Sequence, residues 1–141
     1  MLCGAAIVWY SQTQKCISHS STESEYVALD QGCREWEYLD MLLQELGMKT
    51  PRPTIILNDN KSAKKLAEST VSQSHSRSKH IRVRYHYIRS LIARGNIAIN
   101  HQHTDYLPAD QLTKSLGELK HKRFTWYVLG LRKLDLVSTP L

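Results

Sequence analysis

The chain has 141 residues, 41% of them hydrophobic and 23% charged, a globular balance that fits one domain with a real core and leaves no room for two ordinary ones. Its formal net charge is +6 and its pI is near 9.3, which favours a polyanionic partner without identifying one. No apolar run approaches the ~20 residues of a membrane span, residues 1–9 lack the basic opening of a signal peptide, and Cys3, Cys16 and Cys33 form no C-x-x-C pair. Reduced thiols in an intracellular protein, cytoplasmic or nuclear and not secreted, are therefore expected rather than a disulfide framework.

In chain order, residues 3–20 read as strand material: Ala6-Ile7-Val8-Trp9-Tyr10 is β-prone, residues 11–15 are turn-like, and Cys16-Ile17 resumes the run. Ser20-Ser21-Thr22-Glu23-Ser24-Glu25 is a dense helix start, with Ser20…Glu23 and Thr22…Glu25 both fitting a capping box. The helix is predicted to run to about Leu46 and stop at Gly47. Its apolar stripe holds Leu29, Trp36 and Leu43, with Cys33, Leu39 and Leu46 beside them, and Glu25 heads the same line.

After a linker with Pro51 and Pro53, Thr54-Ile55-Ile56-Leu57 is a fully apolar run, the pattern of a strand covered on both faces. Asn58-Asp59-Asn60 ends it, and residues 61–68 form a short helix. Residues 69–78 are serine-rich and read as a loop, and residues 79–93 as a long helix with Ile81, Tyr85, Ile88 and Ile92 inward and Gly95 as its stop. Ile97 and Ile99 alternate with polar residues as a strand. Residues 106–116 read as a helix with Pro108 in its first turn, Phe124 to Leu131 give a last apolar segment, and residues 132–141 a flexible tail. The alternation is an α/β pattern.

Three carboxylates, Glu25, Asp59 and Asp110, each sit where a strand or loop hands over to a helix, beside apolar residues rather than in a charge run. Acids converging from rigid elements are what two-metal phosphodiester hydrolysis requires, because Mg²⁺ prefers oxygen ligands and keeps several waters. Each also has a plain structural reading: Glu25 as part of a capping box, Asp59 as a helix N-cap, and Asp110 as an acid favoured by a helix dipole. A second constellation is basic. Arg77, Lys79, His80, Arg82, Arg84, His86, Arg89 and Arg94 crowd one segment, and no acid occurs between Glu68 and Asp105. That segment reads either as a solvated helix face or as a sequence-independent grip on phosphates. His101 and His103 lack the paired spacing of a zinc site.

These stretches resemble the ribonuclease H region of copia-type LTR retrotransposon polyproteins. The resemblance rests on Trp9-Tyr10-Ser11 with Gln14, residues 20–26, Asp59-Asn60-Lys61-Ser62-Ala63, residues 79–86, and residues 107–114 with Leu116. It implies an α/β, ribonuclease H-like fold that cuts the RNA strand of an RNA–DNA hybrid with Mg²⁺ or Mn²⁺. It places catalytic and metal-binding acids on Glu25, Asp59 and Asp110, with Arg77, Lys79, His80, Arg82, Arg84, His86 and Arg89 as nucleic-acid contacts. Pro108 and Gln111 depart from the late motif. The family carries a further catalytic aspartate on a first strand, yet no acid precedes Glu23. The chain is therefore expected to be one partial, N-terminally truncated domain lacking the first strand and most of the second, with impaired hydrolase activity. Its expected partners are RNA–DNA hybrid or other nucleic acid and the rest of a reverse transcriptase polyprotein, with no membrane. The alternatives are a non-catalytic nucleic-acid-binding module and a non-functional transposon fragment.

Overall fold

The computed structural model describes residues 4–14, 20–69 and 79–131, with the side chains of residues 79–82 outside the description. The expectations for Cys3, Cys16, the serine-rich loop at 70–78, Arg77 and the tail at 132–141 lie outside the described residues. The chain divides into two compact units, Cys16–His101 and Met1–Lys15 with Gln102–Leu141. Among the described residues no helix is long and apolar enough to cross a membrane.

The unit Cys16–His101 opens with helix α1, Ser21–Glu45. Ser20 caps it, its hydroxyl accepting from the Glu23 amide at 3.1 Å, so the first of the two possible capping boxes sets the start. Its end is a Schellman turn. Gly47 takes φ 73°, its amide donates to the Gln44 carbonyl at 2.9 Å, and the Met48 amide donates to the Leu43 carbonyl at 2.8 Å. A residue with a Cβ is strained at such a φ, so the glycine fixes the stop. Strand β1 (Thr54–Asn58) follows, then α2 (Lys61–Glu68), α3 (Lys79–Ala93) and β2 (Ile97–His101). Helix α3 ends in the same way at Gly95, φ 68°.

β1 and β2 pair in parallel, with Thr54 opposite Ile97 and Ile56 opposite Ile99. Parallel strands need a crossover, which α2 and α3 supply. The architecture is mixed α/β with a small parallel sheet. Helices cover one sheet face: Tyr26, Leu29 and Cys33 of α1, Ala63 and Ala67 of α2, and Ile88 and Leu91 of α3 close on Ile97 and Ile99. The tyrosine rings of Tyr26 and Tyr85 meet edge to face at 4.3 Å. Burying each large aliphatic side chain contributes about 1.5–3 kcal/mol before entropy is subtracted.

Two expectations are corrected here. β1 is not covered on both faces: burial alternates along it, and Ile55 and Leu57 remain 49% and 38% exposed. Within the unit Cys16–His101 the described helices pack on one face of the sheet. Leu46, placed on the inner stripe of α1, is exposed because it is the C-cap, where the chain leaves the helical path.

In the other unit, residues 6–10 form no strand despite their composition. The Ala6 amide donates to the Val128 carbonyl at 2.9 Å, and Ile7, Val8, Trp9 and Tyr10 are exposed. Strand propensity reflects fit to a pleated, half-buried surface, and these residues have no ladder partner among the described ones. The helix expected over 106–116 is instead two short 3-10 turns, Thr104–Tyr106 and Pro108–Leu112. Pro108 starts the second but lacks an amide to donate. Helix α4, Glu118–Val128, packs on that turn, with Phe124 fully buried.

Candidate functional site

Strand β1 delivers Asp59 to its C-terminal end, the side of an open parallel sheet where ligands bind. Asp59 is not the cap of α2. Asn60 is, its side-chain oxygen accepting from the Ser62 and Ala63 amides at 2.9 and 3.0 Å. Asn58 Oδ1 in turn accepts from the Asn60 amide at 2.8 Å. Two asparagines thus satisfy the turn, and the half-buried Asp59 carboxylate has no role in it. Glu25 is likewise outside the cap of α1, which Ser20 and the Glu23 amide complete. It is half-buried, one turn before the buried Leu29.

Asp110 belongs to the other unit. It is buried in the first turn of Pro108–Leu112, with the Lys114 ammonium 3.0 Å from its carboxylate. Within either unit, among the described residues, no three His, Cys, Asp or Glu side chains gather where a metal ion would need them. Glu25 and Asp59 have the right donor chemistry for Mg²⁺, but two acids in one unit are not by themselves a complete set of protein ligands for a two-metal centre.

The basic helix α3 divides its cations by face. Arg84 turns inward, 3.7 Å from the buried Asp30 carboxylate. Arg89 donates to the Leu66 carbonyl at 3.2 Å and lies 5.9 Å from the Tyr85 ring centre. These two tie α3 to α1 and α2. His86 and Val83 are exposed. His103 is engaged with Asp105, 3.3 Å from its carboxylate, which Lys120 and His103 hold below the usual carboxylate range.

Comparison with known proteins places the chain among long polyproteins. It is 40% identical over 111 residues to the retrovirus-related Pol polyprotein from transposon TNT 1-94 of Nicotiana tabacum, a match covering 79% of this chain and 8% of the relative. The Pol polyproteins from transposons RE2 and RE1 of Arabidopsis thaliana are 35% and 38% identical, covering 95% and 84% of the chain. Its homologues are copia-type retrotransposon Pol polyproteins. The chain spans 8–9% of the length of these relatives. No protein-family profile and no solved structure matches it significantly.

This Pol-related chain also contains residues that the sequence alone does not single out. Asp30, buried on α1, lies 3.2 Å from Arg34 and 3.7 Å from Arg84, while Arg34 stacks 4.7 Å from the Tyr87 ring centre. Tyr87 donates to Glu37 at 2.9 Å. Asp40, also buried, gathers Gln44, Thr50 and Arg52, fastening the linker to α1. A buried carboxylate must be paired, but burial of Asp30 and Asp40 is visible only once α3 and the linker have packed. Cys33 is fully buried, and desolvation with the nearby Asp30 charge pushes its thiol up to about 12, so it has none of the thiolate character of a nucleophile.

Proposed function

We propose that this chain is the ribonuclease H segment of a retrotransposon Pol polyprotein, built to position acids for hydrolysis of the RNA strand of an RNA–DNA hybrid and unable to do so alone. The observation that carries the reading is Asp59: an acid at the C-terminal end of a parallel strand, released from helix capping by Asn60. The ordered motifs and the Pol homologues support the same assignment. Glu25 and Asp59 are the firmer pair, and Asp110 is the third acid by resemblance. Mg²⁺ or Mn²⁺ is the proposed cofactor, held only when further acids join the site. The proposed contact to the phosphate backbone is α3, through the exposed His86 and the Lys79 and Arg82 of the same basic run.

The test is a cleavage assay on a labelled RNA–DNA hybrid with Mg²⁺. The 141-residue chain alone is expected to show only background cleavage, since among the described residues Glu25 and Asp59 are two acids where a two-metal centre needs more. Addition of the rest of the tobacco Pol polyprotein, of which the match covers 8%, should restore cleavage, and Asp59→Asn should abolish it again. Robust cleavage by the chain alone would refute its incompleteness. A folded, complemented complex that binds hybrid but never cuts it would refute the ribonuclease reading and favour a binding module, the reading that the acid-free stretch between Glu68 and Asp105 supports.

A further inference from the structure

Helix α1 carries a second apolar stripe, on the side opposite its core face. Tyr38, Met41 and Leu46 are 64%, 58% and 67% exposed, and Leu42 is exposed between them. Their spacing of three, one and four residues makes them one continuous band along the last two turns. Tyr26, Leu29 and Cys33, buried against the sheet, project from the other side of the same helix. Four large apolar side chains left uncovered side by side on one helix face form the kind of patch that marks a contact surface.

We propose that this band is a self-association surface, on which α1 of a second copy of the chain packs antiparallel about a two-fold axis near position 40. Charge complementarity along the band selects a second copy as its occupant. By the helical spacing Arg34 and Glu45 fall within the width of the band, between the lines of Met41 and Tyr38, near its two ends. An antiparallel partner inverts the order, so Tyr38 faces Leu42 of the second copy and Arg34 approaches Glu45 of the second copy, twice by symmetry. Arg34 already bonds Asp30, yet its side chain is half exposed, and a guanidinium has five donors. A contact limited to two turns of each helix buries less than the roughly 1,200 Å² of a standard interface. The dimer is accordingly weak, forming in the micromolar range or above.

Sedimentation velocity of the full chain, from micromolar to submillimolar concentration, tests this. A reversible monomer–dimer equilibrium is expected. Leu42→Glu should weaken it by roughly tenfold or more with an unchanged thermal midpoint, since the residue is exposed. Glu45→Arg should weaken it by setting a second guanidinium against that of Arg34 across the axis. A mixture of Tyr38→Cys and Leu42→Cys chains should cross-link into mixed dimers on mild oxidation in preference to Tyr38→Cys homodimers. A chain that stays monomeric throughout, a dimer indifferent to Leu42→Glu, or cross-linking without preference for the mixed pair would each overturn the proposal.

Discussion

Asp30 shows how one buried charge constrains several elements. Its carboxylate is sandwiched between Arg34 of its own helix and Arg84 of α3, so it must be paired to be buried at all. Asp30→Asn removes the charge but keeps the shape, and both arginines retain access to water. The expected loss is therefore about 1–2 kcal/mol rather than the roughly 3–5 kcal/mol of a stranded buried charge, read as a lower urea midpoint with an unchanged slope. Cys33, nearby, makes a pH statement. Its thiol is held at about 12 in the folded chain against 9.0 when free, and burial raises Tyr26 as well. A raised pKa means that the unfolded chain loses its proton first. Folding stability is therefore fully present below about pH 9 and declines as pH rises towards 12. Stability that stays flat between those limits would contradict the burial of both groups.

The elements differ in how much of them can be read in advance. Helix α1 is legible almost to the residue, because Ser20 and Gly47 are local signals whose hydrogen bonds need no tertiary partner. The same holds for α3 and its stop at Gly95. Residues 6–10 and 106–116 mislead because composition does not decide them: the first has no ladder partner among the described residues, and the second closes into i→i+3 turns, Asp110 onto Leu107 and Thr113 onto Asp110, instead of continuing as an α-helix. Burial of β1 is half legible. An apolar run reports what a strand can bury, while the number of layers decides what it does bury. That distinction predicts two unequal substitutions on paired strands. Ile99→Ala, on the covered face, should cost about 2–5 kcal/mol through cavity formation. Ile55→Ala, on the open face, should cost less than about 1 kcal/mol. Equal costs by urea unfolding would show that both faces are covered.

For the whole molecule, the excess of six positive charges matters less than its distribution. The acid-free stretch from residue 69 to 104 concentrates cation on α3, but the structure subtracts Arg84 and Arg89 from the outward supply by turning them onto Asp30 and Leu66. Sequence lists the basic residues; only the packing of α1 and α2 says which of them are spent. If the outer face of α3 grips a nucleic-acid backbone, binding to an RNA–DNA hybrid must release counterions, and log affinity must fall linearly with log salt at about 0.7–0.9 per phosphate neutralised. Arg82→Gln should lower that slope by about one contact and weaken all sequences alike, since backbone contacts carry no sequence information. Arg84→Gln should instead lower the urea midpoint, because it removes one of the two arginines paired with Asp30, and leave the slope of the folded protein nearly unchanged. Fluorescence anisotropy across a salt series separates the two effects, and a flat salt response in the parent chain would remove α3 from any nucleic-acid contact.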